Sequence, residues 1–173
     1  MTEEVRVRRA VAADAAPLAE LAARTYFETF AAETPPDDMV AHLAKSYGER
    51  QQSEEIADPD AVTLVAADGG TLTGYAQVRR YPPPSCVTGE APVELRRFYV
   101  DRAWHGRGIA QPLMAAALDA ARELGAPRVW LSVWERNARA IAFYKKFGFQ
   151  DVGEHEFWVG TDCQMDRVMV AEI

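Results

Sequence analysis

The stretch that most constrains the fold is a strand-like segment followed by a glycine turn and a long amphipathic helix. VELRRFYV (93–100) reads as a strand, and HGRG (105–108) carries two glycines one residue apart. From Gly108 to Gly125 apolar residues recur at helical spacing, and the closing glycine is typical of a helix C-cap. This unit predicts a domain that mixes strands and helices.

The rest of the chain extends the same mixed pattern. Asp14 is a residue type that caps helices, and a helix pattern follows it; a second follows Pro35 and Pro36, and a third spans 137–148. Strands are predicted over 5–10, 61–67, 71–79, 93–100, 128–134, 149–160 and 162–170. The order, β-α-α-β-β-β-α-β-α-β-β, shows no repeat or linker, so residues 1–173 are predicted to form a single mixed α/β domain.

Composition excludes several classes of function. The net charge of −7 argues against a general nucleic-acid binder, because phosphate backbones attract basic surfaces. Cys86 and Cys163 lie far apart and the three histidines are scattered, so neither a disulfide framework nor a metal site is predicted. The charged N-terminus and the lack of a long apolar run predict no signal peptide, no membrane partner and a cytoplasmic location.

The glycine turn has the features of an anion site. The first amides of a helix have no intrahelical acceptor, and the glycines allow a bulky anion to approach the backbone. Gly106 and Gly108 can equally form only a tight turn. Gln111 stands where a dinucleotide fingerprint has its third glycine, and the GK-S/T of a P-loop is absent, so neither of those motifs is present.

The turn and the segments around it resemble the GCN5-related N-acetyltransferases. In YVDRAWHGRGIAQPLM, Gly108 and Ala110 match the family pattern Gln/Arg-x-x-Gly-x-Gly/Ala, whereas His105 stands where Gln or Arg is usual. NARAIAFYKKFGF matches a second pattern through Asn137 and Tyr144. TYFETFAAETPPDDM, ELRRFYVD and VWLSVWERN are similar to the PaiA-like, polyamine-acetylating branch.

The resemblance implies a mixed sheet of about seven strands with a splayed central pair, flanked by helices. It implies acetyl-coenzyme A (acetyl-CoA) as cosubstrate, with no metal, and direct attack by the amine in a ternary complex. The expected coenzyme-binding residues are Phe98, Tyr99, Val100, Gly106, Arg107, Gly108, Ile109, Ala110, Gln111, Asn137 and Tyr144. A backbone amide near Phe98 or Val100 would stabilise the oxyanion.

Two residues are expected to move protons. Glu94 occupies the strand position of the catalytic glutamate in histone-modifying members, and it would deprotonate the amine directly or through water. Tyr144 would protonate the leaving thiolate. Both residues also have an alternative without a catalytic role. Glu94 can be an exposed glutamate on a strand, and Tyr144 can be a tyrosine of the hydrophobic core.

The acceptor is expected between the first two helices, where four acids suit a cationic amine: Glu28, Glu33, Asp37 and Asp38. Acids at a helix N-terminus also favour its dipole without binding anything. The implied substrate is a small primary amine such as spermidine or spermine. A protein or peptide acetyltransferase and a non-catalytic acyl-CoA-binding regulatory domain stay open as alternatives, as does a homodimer.

Overall fold

The computed structural model describes residues 4–173 as a seven-stranded sheet flanked by helices. The strands are β1 (Arg6–Arg9), β2 (Ala61–Asp68), β3 (Thr71–Arg79), β4 (Val93–Val100), β5 (Arg128–Trp134), β6 (Gln150–Val159) and β7 (Asp162–Glu172). The helices are α1 (Ala15–Phe30), α2 (Pro36–Ser46), α3 (Glu49–Ala57), α4 (Ala110–Glu123) and α5 (Ala138–Lys146). The mixed α/β fold class is therefore confirmed.

The strand order is β1-β2-β3-β4-β5-β7-β6, and β4–β5 is the parallel pair. These two central strands pair only through Val93–Val129 and Glu94–Trp130 and then diverge. The predicted splay is thus present. A cleft opens where the carboxyl ends of β4 and β5 would otherwise be joined.

A bulge in β4 changes which face its side chains occupy. The β3–β4 register shifts between Gln77 and Val78, so that Arg96 is the extra residue. Before it, Leu95 packs with α4; beyond it, Phe98 packs on that side and Tyr99 packs with α1.

The sheet carries a large hydrophobic core on each face. Leu113, Met114 and Ala117 of α4 are fully buried against strands β2 to β5. On the opposite face Leu18, Leu21 and Ala22 of α1 pack with Tyr75. The cleft therefore opens onto both faces of the sheet.

Two local predictions differ from the structure. Helix α3 was not predicted, because Gln52 is its one buried residue and no apolar stripe marks it. Asp14 precedes α1, but its side chain makes no cap hydrogen bond to that helix. It accepts hydrogen bonds from the Val11 amide at 2.7 Å and from the Arg8 guanidinium at 2.7 and 3.0 Å.

Candidate active site

A cavity of about 1050 Å³ passes through the cleft between β4 and β5. Most of the predicted site residues line it: Glu28, Glu94, Phe98, Tyr99, Val100, Gly106, Gly108, Ile109, Ala110, Gln111, Asn137 and Tyr144. Four predicted residues do not: Glu33, Asp37, Asp38 and Arg107. One cavity thus joins the predicted coenzyme positions to α1.

The glycine turn at one end of the cavity presents a row of free backbone amides. Gly106 and Gly108 have φ angles of 77° and 78°, in the left-handed region that favours glycine. Among the described residues, the amides of 108–111 have no hydrogen-bond acceptor. Pro112, which has no N–H, lies in the first turn of α4. The turn is therefore built to accept an anion on its backbone.

The side chain of His105 fixes this turn to two neighbouring elements. Its Nε2 lies 2.9 Å from the Val100 carbonyl oxygen, and its Nδ1 lies 3.0 Å from the guanidinium of Arg139. Because a guanidinium only donates, Nδ1 accepts and Nε2–H donates to Val100. His105 thus ties the end of β4 and helix α5 to the turn, which gives the departure from Gln or Arg a structural role.

Arg107 does not itself line the cavity. Its guanidinium stacks over the ring of Trp104, which does line it, 4.8 Å from the ring centroid, and its amide donates to the Trp104 carbonyl at 3.3 Å. The role of Arg107 in anion binding stays a prediction.

A buried ion network holds the bulge of β4. Glu55 of α3 accepts from Arg96 at 2.8 Å and also from Arg97, which is 5% exposed. Gln77 adds hydrogen bonds to Glu55 and Arg96. The unpredicted helix α3 therefore anchors the strand that borders the cleft.

Glu94 lies at the closed end of the cleft. It is part of the last β4–β5 pair, opposite Trp130, and it accepts from Nε of Arg79 at 2.5 Å. The side chains of Arg79 and Glu94 are 21% and 12% exposed. Glu94 is thus a half-buried, ion-paired carboxylate on the cavity wall, and its role as a base stays a prediction.

Tyr144 lies on the opposite wall, among aromatic rings. Its ring is 6.3 Å from that of Phe98 and 5.8 Å from that of Phe149. Burial raises the pKa of its phenol above the ordinary value, so the hydroxyl stays protonated at neutral pH. Tyr144 is thus a core residue that also lines the cavity, and its role as proton donor stays a prediction.

Asn137 caps helix α5. Its Oδ1 accepts from the Ala140 amide at 3.2 Å, which leaves the side-chain NH₂ group available at the cavity wall.

Most of the predicted acceptor acids are engaged elsewhere. Glu33 pairs with Arg136 at 3.1 Å on the surface. Asp38 accepts from the amide and hydroxyl of Thr161, which fixes α2 to the turn between β6 and β7. Asp37 is exposed in the first turn of α2. Only Glu28 of the four lines the cavity.

Sequence reasoning missed a buried carboxylate on the acceptor side. Asp166 of β7 is 7% exposed and lines the cavity. Burial raises the pKa of this carboxyl to about 7, and the charge of Glu135 acts in the same direction. Strand periodicity in DCQMDRVMV places Asp166 on the same face as Val168, but it does not reveal that this face borders a cavity.

Neither a metal site nor a membrane span is found within residues 4–173. No group of three or more His, Cys, Asp or Glu side chains could hold a metal ion. None of the helices in that range has the length and apolar character needed to cross a bilayer.

The fold and the glycine turn define a class of coenzyme-dependent acyltransferase, and sequence similarity gives the family. Residues 18–149 match the acetyltransferase (GNAT) family. The chain is 34% identical over 160 residues to an uncharacterized N-acetyltransferase of Mycobacterium tuberculosis, covering 92% of this chain and 98% of that protein. The chain therefore belongs to the GNAT family of acetyl-CoA-dependent acetyltransferases.

Two further proteins are similar to this chain, one in sequence and one in fold. A spermine/spermidine N(1)-acetyltransferase of Bacillus subtilis is 32% identical over 105 residues, which cover 60% of this chain and 65% of that protein. The PaiA N-acetyltransferase of Thermoplasma acidophilum, solved in complex with coenzyme A, superimposes with a TM-score of 0.78 at 20% identity, covering 98% and 99% of the two chains. The GNAT fold is confirmed.

Proposed function

We propose that the protein, as one domain over 1–173, transfers the acetyl group of acetyl-CoA to a primary amine of a small molecule, with a polyamine such as spermidine or spermine as the leading candidate. One observation carries the proposal: a glycine turn with free amides opens into a cavity that passes between two splayed strands. The similarity to a spermine/spermidine acetyltransferase supports the choice of polyamine.

The residues present fit the coenzyme. A Cβ added at Gly106 or Gly108 would meet nothing within 4 Å, so the space above the turn is open to a diphosphate. The amides of 108–111 would hold that diphosphate at the start of α4. The unpaired edge of β4 over 98–100 would pair with the pantetheine arm, and Asn137 offers a further donor.

When bound, acetyl-CoA supplies a thioester whose carbonyl carbon accepts the amine nitrogen. The chain's own residues position the reaction and move the protons. A backbone amide near Phe98 or Val100 stabilises the negative charge on the carbonyl oxygen. Tyr144 donates its phenolic proton to the leaving sulfur. Glu94 is the predicted base, acting directly or through water.

Direct transfer to the amine is favoured over a covalent acetyl-cysteine. Cys86 lies in a separate depression with Arg128 and Gln150, and it does not line the main cavity. Cys163 is exposed on β7 and also lies off the cavity wall. Neither thiol is therefore placed to carry the acetyl group between the coenzyme and the amine.

The test measures free thiol released from acetyl-CoA with spermidine, spermine or a lysine-bearing peptide, with mass spectrometry of the products. We expect release well above the amine-free rate for at least one polyamine. Release only with the peptide would select the protein acetyltransferase instead. Coenzyme binding without release for any amine would leave a regulatory domain. The cytoplasmic location and the homodimer stay predictions.

A further inference from the structure

The acceptor side of the cavity holds a carboxylate that no protein group neutralises. Asp166 lies on β7, paired with Trp134 of β5 and with His155 of β6. Within residues 4–173, no hydrogen bond or salt bridge reaches its side chain. Burying an unpaired carboxylate is unfavourable, so its presence on a cavity wall points to a ligand that supplies the missing partner.

Other buried polar atoms on the wall of the same cavity also have no partner among the described residues. The Tyr26 hydroxyl, the Ser132 hydroxyl and the Trp130 indole N–H are buried and make no hydrogen bond to the described residues. All three residues line the same cavity. An ammonium group has three N–H donors, which the carboxylate and the two hydroxyl oxygens can accept.

Aromatic rings enclose the same space. Phe30 contacts the Tyr26 ring at 4.6 Å and the Trp134 ring at 5.5 Å between centroids. His42 contacts Tyr26 at 4.7 Å and Phe157 at 5.9 Å. All of these rings line the cavity, and a cation held over the face of such a ring is attracted to it. The pocket therefore suits the ammonium end of an alkyl chain better than a neutral group.

The position along the sheet matches the open part of the cleft. Trp134 is five residues beyond Val129, the partner of Val93, on β5. Because Arg96 is an extra residue in the bulge of β4, the residue of β4 level with Trp134 is Tyr99. Asp166 pairs with Trp134, so it lies at the level of Tyr99, beyond the last β4–β5 pair. Glu94 lies at the closed end, where its carboxylate is already paired with Arg79.

We propose that Asp166, in place of the ion-paired Glu94, binds the ammonium group of the acceptor and takes the proton that its nitrogen must lose. The assignment rests on the acetyltransferase function proposed above. One ammonium proton passes to the Asp166 carboxylate. The nitrogen lone pair then forms the C–N bond as the C–S bond breaks, and its electron pair stays on sulfur, which takes the Tyr144 proton. The second nitrogen proton returns through water to Tyr144.

Amine binding then depends on the charge of Asp166. The titratable groups around it are Tyr26 of α1, His42 of α2, Glu135 after β5 and His155 of β6. Burial lowers the pKa of His42 and raises that of Tyr26, so both are neutral near pH 7. His155 is the β6 residue that pairs with Asp166 across the sheet, and it therefore needs its own control.

The test compares hexylamine, which is cationic, with 1-hexanol, its neutral counterpart. Binding is followed by NMR with and without coenzyme A, at about pH 5 and about pH 8, on either side of the Asp166 pKa. The variants are Asp166→Asn, Glu94→Gln, His155→Gln and Asp119→Asn. Asp119 is the matched charge control, because it is exposed on α4 and pairs only with Arg122.

The wild type and the Asp119→Asn and His155→Gln variants are expected to prefer hexylamine at least about tenfold at the higher pH and to lose that preference at the lower pH. Asp166→Asn is expected to lose it at both. A wild type without the preference, or an Asp166→Asn variant that keeps it, overturns the inference. The inference is also overturned if the pH dependence of this preference disappears in Glu94→Gln and persists in Asp166→Asn. If Asp166→Asn does not fold, the inference is judged from the wild type and His155→Gln: both must prefer hexylamine at the higher pH and lose that preference at the lower pH. Cation preference without turnover of any amine overturns the proposed function alone.

Discussion

Replacing Gly108 with valine tests the coenzyme site most directly. Gly108 has a φ of 78°, and a Cβ built there meets no atom within 4 Å. The valine side chain would therefore enter the open space over the free amides of 108–111 rather than the protein core. Holding a β-branched residue at this φ costs about 1–3 kcal/mol of folding free energy.

The expected loss of affinity follows from the amides that the side chain covers. A hydrogen bond to a charged group contributes about 1.5–3 kcal/mol. If two such hydrogen bonds are lost at about 1.5 kcal/mol each, the binding free energy falls by about 3 kcal/mol. The dissociation constant then rises about 100-fold. We expect a loss of at least this size for coenzyme A measured by calorimetry.

Gly125→Val provides the matched control. Gly125 has a φ of 82° just beyond the other end of α4, also meets no atom within 4 Å, and does not line the cavity. Both variants should lose similar stability in denaturant, and only Gly108→Val should lose coenzyme affinity. A folded Gly108→Val protein with wild-type affinity would refute the backbone cradle. Equal loss of affinity in both variants would show that strain in α4 is the cause.

Four further outcomes are expected. Tyr144→Phe should lower kcat about 100-fold with coenzyme affinity nearly unchanged, and a loss of folding instead would make Tyr144 only a core residue. Glu55→Ala should destabilise the protein by about 3–5 kcal/mol in denaturant titrations, because it leaves buried Arg97 unpaired; a change below about 1 kcal/mol would contradict the network. Asp166 has its pKa raised to about 7 from 3.8 in the folded state, so its carboxylate destabilises the fold as pH rises through that window. Since a tenfold change in proton affinity is worth about 1.4 kcal/mol, the wild type should lose about 3 kcal/mol relative to Asp166→Asn between pH 4 and 7; parallel stability curves would refute this. His105→Ala should weaken coenzyme binding by about 1–2 kcal/mol, because its two contacts to Val100 and Arg139 are lost; unchanged affinity in calorimetry would contradict its role in holding the turn.

Local sequence signals were enough to predict the glycine turn and the strand and helix on either side of it. The glycine turn, the strand before it and the helix after it are contiguous, so spacing alone places the amides at the start of α4. Strand β5 agrees with its predicted range, 128–134, because an apolar run there is bounded by a proline and a polar turn. Helix α3 carried no such signal, since its buried residue, Gln52, is polar and donates to the Ser46 carbonyl at 3.1 Å.

The acceptor side depends on sheet order, which the sequence does not reveal. Strand β7 inserts between β5 and β6, and only this arrangement sets Asp166 beside Trp134. The acids of the α1–α2 region were conspicuous in the sequence, yet Glu33 and Asp38 form surface ion-pair and turn contacts. A single carboxylate on a late strand gives no comparable pattern.

The bulge in β4 connects the two sides of the site. A shift of one residue moves every later side chain of a strand to the opposite face. With Arg96 as the extra residue, Phe98 faces Tyr144, and Tyr99 faces the acceptor helices. Without the extra residue, Phe98 and Tyr99 would exchange faces, and Tyr144 would lose the Phe98 ring that packs beside it. Because Glu55 binds both arginines at the bulge, helix α3 fixes the register on which the donor and acceptor sides both depend.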